Sequence, residues 1–252
     1  MADATPVLDH LLNVIAARGA AYLVLLDPDG PEPEENARIA GLAAKAGADA
    51  LLVGGSLSLR GRCGETAAAI KRAVDLPVIV FPGDVGFVTG EADAILFLSL
   101  VSGRNAELLI GQHVKAAPAL RRLGVEPIPT GYLLVEGGST TSVEFMSGTR
   151  PLPRGKPDIA MAHALAAQYL GMRIVFFDCG SGADAPVPAE LVESVARYVD
   201  IPVMVGGGIR RPSEARALVR AGARLIVTGD VIERGGGADL MKELADAVHL
   251  ST

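Results

Sequence analysis

The sequence predicts a closed α/β barrel, the single (β/α)8 TIM barrel, and three observations carry that reading. Eight near-continuous apolar runs recur along the chain. Strands buried on both faces read as runs of this kind, where half-exposed strands alternate. Most of the runs are separated by helical segments, the pattern of parallel strands joined by crossovers. The unusual residues (glycines, aspartates, hydroxyls) cluster directly after the runs, where a barrel of this class places its chemistry. Eight such units in 252 residues fit a closed barrel better than a doubly wound sheet. No linker, charge block or low-complexity tract divides the chain, so residues 1–252 are read as one domain.

In order, helical spacing over 7–17 predicts an extra N-terminal helix that caps one end of the fold. A strand over 21–26 runs into Asp27-Pro28-Asp29-Gly30, and a helix follows over 34–46. A second strand, 49–56, ends in Gly54-Gly55-Ser56. A helix over 65–74 leads to a strand at 77–81 and the loop Pro82-Gly83-Asp84. About ten residues separate this strand from the next, over 93–98, fewer than a regular crossover helix needs. The third helix is therefore expected to be missing or irregular. A helix over 106–123 precedes a strand at 131–135 and a long polar loop, 136–156. The helix 157–170 leads to the strand 173–177 and then Asp178-Cys179-Gly180-Ser181-Gly182. A helix over 188–199, a strand reaching Gly206-Gly207-Gly208, a helix over 213–221, a strand over 224–228 and a final helix complete the chain.

Composition excludes several function classes. Half the residues are hydrophobic, yet no run approaches the roughly 18 needed to cross a bilayer. The N-terminus lacks a basic segment followed by an apolar core, so no secretory signal is read. Two cysteines, Cys63 and Cys179, cannot form a disulfide framework and fit a reducing cytoplasm. A net charge of −6 with no Lys/Arg stripe argues against nucleic acid as a partner. An anionic substrate would be met by locally placed N–H groups or a metal, since the global field repels it.

Gly206, Gly207 and Gly208 lie between a strand and a helix that opens with Pro212, Ser213 and Glu214. Bare backbone N–H groups near a helix N-terminus form a phosphate cradle, although three glycines also suit a plain tight turn. The pairing with Thr228-Gly229-Asp230 in the next loop favours the phosphate, because barrels of this class bind one there. Asp27 suits a Mg²⁺ ligand or a base, or is a turn residue before Pro28. Ser56 is a hydroxyl ligand or a helix cap. Asp178 follows a purely hydrophobic strand, so its carboxylate is expected to be partly desolvated and fit for proton transfer; the alternative is a solvated carboxylate in a glycine loop. Cys179 reads as a buried filler. His10, His113, His163 and His249 lie in helices without ligand spacing and read as structural or surface residues.

These motifs together carry a resemblance. They are Leu26-Asp27-Pro28-Asp29, Gly54-Gly55-Ser56, the segment from Tyr132 to Met146 with Gly137-Gly138-Ser139-Thr140-Thr141-Ser142-Val143-Glu144, Lys156-Pro157-Asp158, Gly180-Ser181-Gly182-Ala183 and Val205 to Arg210. The chain resembles the geranylgeranylglyceryl phosphate synthase family, most closely its second sequence group, in order and over nearly its whole length. The resemblance implies a Mg²⁺-dependent prenyltransferase of lipid biosynthesis, forming an ether between a polyprenyl diphosphate and sn-glycerol 1-phosphate. It places Asp27 and Ser56 at the magnesium and diphosphate positions. Phe176, Asp178, Gly180, Ser181, Gly182, Gly207, Gly208, Gly229 and Asp230 fall at the glycerol-phosphate positions, with Asp178 as the catalytic carboxylate. It also implies a homo-oligomer. A lipid product implies transient contact with a membrane, while the lack of an amphipathic basic helix argues against strong attachment.

Three residues depart from the family pattern: Phe176 stands for a tyrosine, Asp178 for a glutamate and Asp230 for an asparagine. All fall on the acceptor side, which raises 3-phosphoglycerate as an alternative acceptor, with farnesyl diphosphate as donor and Arg210 or Arg211 meeting its carboxylate. Two other classes fit the same barrel, a sugar-phosphate isomerase and a non-catalytic phospholigand-binding protein. The first needs paired acid/base carboxylates at opposite strand ends, which Glu136-Gly137-Gly138 after strand five does not match.

Overall fold

The computed structural model describes residues 5–229 and 237–249. Eight parallel strands close into a barrel in sequence order: β1 (Ala21–Leu26), β2 (Ala50–Gly54), β3 (Val78–Phe81), β4 (Ala94–Leu100), β5 (Glu126–Leu134), β6 (Ile174–Asp178), β7 (Val203–Gly206) and β8 (Leu225–Thr228), which pairs back onto β1. Around it run α2 (Pro33–Ala46), α3 (Cys63–Ala73), α4 (Gln112–Leu123), α6 (Pro157–Tyr169), α7 (Ala189–Ala196), α8 (Pro212–Arg220) and α9 (Ala238–Val248). The predicted TIM barrel is the observed fold.

The period of two along each strand divides the apolar residues into two shells. Leu23, Ile79, Leu96, Leu134, Phe176, Met204 and Leu225 fill the barrel interior, while Tyr22, Val24, Val53, Val175 and Ile226 pack outward against the helices. The expected N-terminal helix is α1 (Pro6–Arg18), whose Val7, Leu8 and Leu11 join the interior cluster and plug the end opposite the strand C-termini. Its first turn is tied down from β5, where the buried Glu126 carboxylate accepts from the N–H groups of Val7 (2.7 Å) and Leu8 (3.0 Å). A carboxylate on free N–H groups at the positive end of a helix satisfies both charge and hydrogen bonding.

The third crossover helix is absent, as its spacing required. β3 and β4 are joined by a single 3-10 turn, Val85–Phe87, started by Asp84 accepting from Gly86 N–H at 2.7 Å. The next crossover is unusual too: a π-helical turn, Glu107–Gly111, runs into α4.

Two expectations need correction. β5 begins at Glu126, five residues before the predicted start, because Pro127 and Pro129 disguise the strand. Proline lacks the N–H but keeps its acceptor, and Pro129 C=O receives Arg173 N–H at 2.8 Å. The polar loop 136–156 also contains a short helix, α5 (Ser142–Ser147), closed by Gly148 at φ 59°, and its return arm pairs Leu152 with Val135. Six residues are too few to display a helical period.

Candidate active site

A cavity of about 470 Å³ opens at the C-terminal face of the barrel. Strand parity explains what reaches it. Residues of inward parity continue past the strand ends, so Leu25 is followed by Asp27, Phe176 by Asp178, and Val227 by Gly229, and all six line the cavity. Ser56, Ser181, Gly207 and Gly208 line it as well. Of the residues predicted for the site, Gly180 and Gly182 lie behind this lining, in the turn after β6, and Asp230 lies outside the described residues.

The glycine stretch has the geometry of a cradle. Gly207 and Gly208 both adopt left-handed backbone, at φ 76° and 72°. A Cβ on Gly207 would lie 2.5 Å from Asp178 Oδ1, and one on Gly208 would lie 2.7 Å from the Ala185 backbone. Conformation and space both demand glycine here. Among the described residues neither Gly207 N–H nor Gly208 N–H has an intramolecular acceptor. The helix beyond starts with a capping arrangement: Glu214 accepts from the N–H groups of Arg210 (2.8 Å) and Arg211 (3.0 Å).

Asp178 is the last residue of β6 and only 6 % exposed. It is therefore a buried carboxylate on a strand, which removes the solvated-loop alternative. Its Oδ2 accepts from Tyr132 Oη at 2.6 Å and its Oδ1 from Gly180 N–H at 2.8 Å. Burial, then the charge of Asp178 and the hydrogen bond to it, raise the Tyr132 phenol well above the ordinary tyrosine value. The phenol consequently stays protonated and keeps donating. Tyr132, Phe81 and Phe176 pack as three mutually contacting rings, with centroids 5.4 to 6.0 Å apart, beneath the carboxylate. Phe176 has no hydroxyl to offer the site; the hydroxyl on this side comes from β5.

Asp27 and Ser56 face the cavity from the neighbouring ends of β1 and β2. Asp27 Oδ1 accepts from Asp29 N–H at 2.8 Å, and Asp29 accepts from Leu59 N–H and, at 3.0 Å, from Arg60 N–H, fastening the two loops together. Among the described residues there is no group of three or more His, Cys, Asp or Glu able to hold a metal ion. The oxygen donors here suit a hard cation that shares its coordination with a bound phosphate, as Mg²⁺ often does.

From this polar end the cavity continues into an apolar arm over β3 and β4. Val85 and Val88 come from the segment that replaces the third helix, and Leu108 from the π-helical turn. Ile95 and Phe97 are of outward parity on β4, yet they line the cavity because no crossover helix covers them. His113, expected to be structural or at the surface, also lines this arm. It is 7 % exposed, packs edge-on against Phe97 at 4.4 Å, and burial lowers its pKa. Cys179 points away from the cavity and is buried, as expected of a filler; burial, reinforced by Asp178, pushes its thiol up to about 12.

Sequence reasoning did not assign Tyr132, Phe81 or His113 to the site. Parity could have found the first two, since Tyr132 is two residues before the inward Leu134 and Phe81 is two after the inward Ile79. Of the cations named for an acceptor carboxylate, Arg210 donates to the backbone carbonyls of Ala183 (2.7 Å) and Asp184 (3.1 Å), and Arg211 pairs with Glu214 at 2.6 Å.

Fold and site define a class: a (β/α)8 barrel with an N–H cradle and a buried carboxylate at one end of its mouth and an apolar arm at the other. The sequence matches the PcrB family over residues 13–248, and the chain belongs to that family. Among its relatives is a geranylgeranylglyceryl phosphate synthase of Chitinophaga pinensis, 45 % identical over 229 residues, covering 91 % of this chain and 90 % of that protein. Another of the same name, from Thermococcus kodakarensis, is 45 % identical over 233 residues, covering 92 % of each. The crystal structure of (S)-3-O-geranylgeranylglyceryl phosphate synthase from Thermoplasma acidophilum, in complex with its substrate sn-glycerol-1-phosphate, superposes with a TM-score of 0.91 at 39 % identity. That match covers 96 % of this chain and 98 % of the other.

Proposed function

We propose that the protein is a prenyltransferase that joins a polyprenyl diphosphate, geranylgeranyl or similar, to sn-glycerol 1-phosphate through an ether. The observation that carries this is one cavity with two chemically opposite ends, an unpaired N–H cradle beside Asp178 and an apolar arm over β3 and β4. A phosphorylated hydroxy compound and a long hydrocarbon fit those ends and meet between them. The names of the relatives and the ligand of the Thermoplasma structure support the same pairing.

In this reading the N–H groups of Gly207 and Gly208, with Ser181 and Gly229, hold the acceptor phosphate, where neighbouring strand-seven and strand-eight loops commonly bind one. Asp27 and Ser56 hold the donor diphosphate through Mg²⁺, which when bound neutralises the charge on the leaving group. Asp178, fixed by Tyr132 and Gly180, orients the acceptor hydroxyl and takes its proton. The new C–O bond forms at the allylic carbon as the bond from that carbon to diphosphate breaks. The prenyl tail lies along Val85, Val88, Phe97 and Leu108, dry and held for in-line attack.

Residues 1–252 act as a single domain in this proposal, in the reducing cytoplasm that two unpaired cysteines fit. Among the described residues no helix is long and apolar enough to cross a membrane. Exposed apolar side chains on the barrel flank, Ile110 and Val114 on one side and Tyr169, Leu170 and Tyr198 on another, support a homo-oligomer.

The test is transfer from labelled geranylgeranyl or farnesyl diphosphate with Mg²⁺, offering sn-glycerol 1-phosphate or 3-phosphoglycerate. Ether formed with glycerol 1-phosphate, and little with 3-phosphoglycerate, is expected. No ether from any pair removes the transferase reading.

A further inference from the structure

The apolar arm is walled by the two irregular stretches of the barrel, and one side chain joins them. Residues 82–91, where the third helix is missing, supply Val85 and Val88, and the π-helical turn Glu107–Gly111 supplies Leu108. Gln112, the first residue of α4, lines the same cavity. Its Oε1 accepts from Val85 N–H at 3.1 Å, and its Nε2 donates to Glu107 Oε1 at 2.6 Å. Among the described residues, every other hydrogen bond of residues 82–91 stays within that segment.

The two neighbours fix which way the amide faces. A backbone N–H only donates. The hydrogen bond from Lys115, opposed in part by burial, holds the Glu107 carboxyl below the usual carboxylate range, so it only accepts. Glutamine meets both demands at this position, and glutamate does not. Glu107 folds over Gly111, where a Cβ would push the carboxylate away. The π-helical turn is moored to β4, since Ser99 Oγ donates to Leu109 C=O at 2.7 Å. Gln112 thus reaches from a wall fixed on β4 to a wall that has no helix of its own.

We propose that Gln112 is a specificity-determining residue for the donor: its amide clasps the β3–β4 segment to the π-helical turn and sets the width of the arm that receives the prenyl tail. π-Helical turns recur at functional sites. A long hydrocarbon is held by many weak contacts, and a gap of roughly 0.5–1 Å forfeits about a quarter to a half of each. A one-unit prenyl group leaves most of the arm empty and is indifferent to its width. The proposal rests on the prenyl-transfer reading for the identity of the ligand.

The probes are geranylgeranyl and dimethylallyl diphosphate with Mg²⁺, with binding followed by calorimetry and transfer to sn-glycerol 1-phosphate by product. Gln112→Glu sets two carboxylates face to face. The Kd and KM for geranylgeranyl diphosphate are expected to rise roughly 10-fold or more, while those for dimethylallyl diphosphate and the KM for sn-glycerol 1-phosphate stay near the wild type. Adding Glu107→Gln restores a donor opposite the new carboxylate and is expected to recover most of the loss, a coupling that independent sites do not show. Gln112→Met, uncharged and of like length, lacks both bonds and is expected to lose selectivity for the long donor with unchanged melting temperature. No loss, an equal loss for both donors and the acceptor, or a double variant no better than Gln112→Glu overturns the proposal. Selective loss of geranylgeranyl diphosphate binding, with no ether from the wild type, supports the clasp and removes the transferase reading. A wild type that binds neither diphosphate removes both.

Discussion

At the scale of single residues, the site depends on positions where one side-chain atom decides the outcome. Gly207→Ala places a methyl 2.5 Å from Asp178 Oδ1 on a left-handed backbone. It is expected to cost about 1–3 kcal/mol of stability and to raise the KM for the acceptor far more than the KM for the donor. Steady-state kinetics with each substrate varied in turn checks the split, and equal effects on both would displace the cradle from the acceptor. Asp178→Asn keeps the shape but loses the proton acceptor, so kcat should fall by roughly 10²–10⁴. Tyr132→Phe, which removes only the hydroxyl on Oδ2, should fall less and shift the acid limb of the pH–rate profile upward, because the lost donor had stabilised the ionised carboxylate. The gathering of Asp27, Ser56, Asp178 and the cavity-lining glycines was legible in the sequence, since each is a polar or small residue at a strand end. Tyr132 was not, because an apolar-run tyrosine looks the same facing in or out until the register of β5 is fixed.

At the scale of elements, the gap between β3 and β4 shapes the apolar end of the cavity. A crossover too short for a helix was readable from spacing alone; which side chains its absence uncovers was not, and outward-facing Ile95 and Phe97 become cavity wall because that helix is missing. Phe97→Asp should therefore weaken long-chain donors much more than a short one such as dimethylallyl diphosphate, as a comparison of KM across chain lengths would reveal. A uniform loss would mean that the arm does not hold the tail. At the opposite end, Glu126 spans from β5 to α1 and holds two N–H groups. Glu126→Ala is expected to destabilise by about 1–2 kcal/mol, the range for a lost helix cap, and to leave kcat unaltered; urea midpoints and turnover measured together would show it. The prolines at 127 and 129 hid the part of β5 that carries this contact, which is why the sequence did not reveal it.

At the scale of the whole molecule, a barrel closed by apolar runs on both faces buries groups that ionise only at high pH. Burial raises the Cys63 thiol to about 11, the Cys179 thiol to about 12 and the Tyr22 phenol to about 12. In each case the folded value lies above the ordinary one of 9.0 or 10.0. The folded state thus holds its protons while the unfolded chain releases them, and stability is full below about pH 9 and declines as pH rises toward 12. At about 1.36 kcal/mol per pH unit, the shifts correspond to roughly 3 kcal/mol for Cys63 and roughly 4 kcal/mol for Cys179. Urea midpoints across this range should fall steeply in the wild type and less steeply in Cys63→Ala; identical slopes would contradict the assignment. Barrel closure and strand order follow from the alternation of apolar runs and helices. The loop after β5 did not, because a six-residue helix leaves no period to read.

The proposed reaction divides the labour of the site, with the acceptor phosphate at Gly207 and Gly208 and the donor diphosphate at Asp27 and Ser56. A crystal structure of the protein soaked with sn-glycerol 1-phosphate tests it most directly. Phosphate oxygens are expected at about 2.8–3.0 Å from the backbone nitrogens of Gly207 and Gly208, with the free hydroxyl turned toward Asp178. A phosphate seated instead over Asp27 and Ser56, with the glycine N–H groups facing solvent, would contradict it.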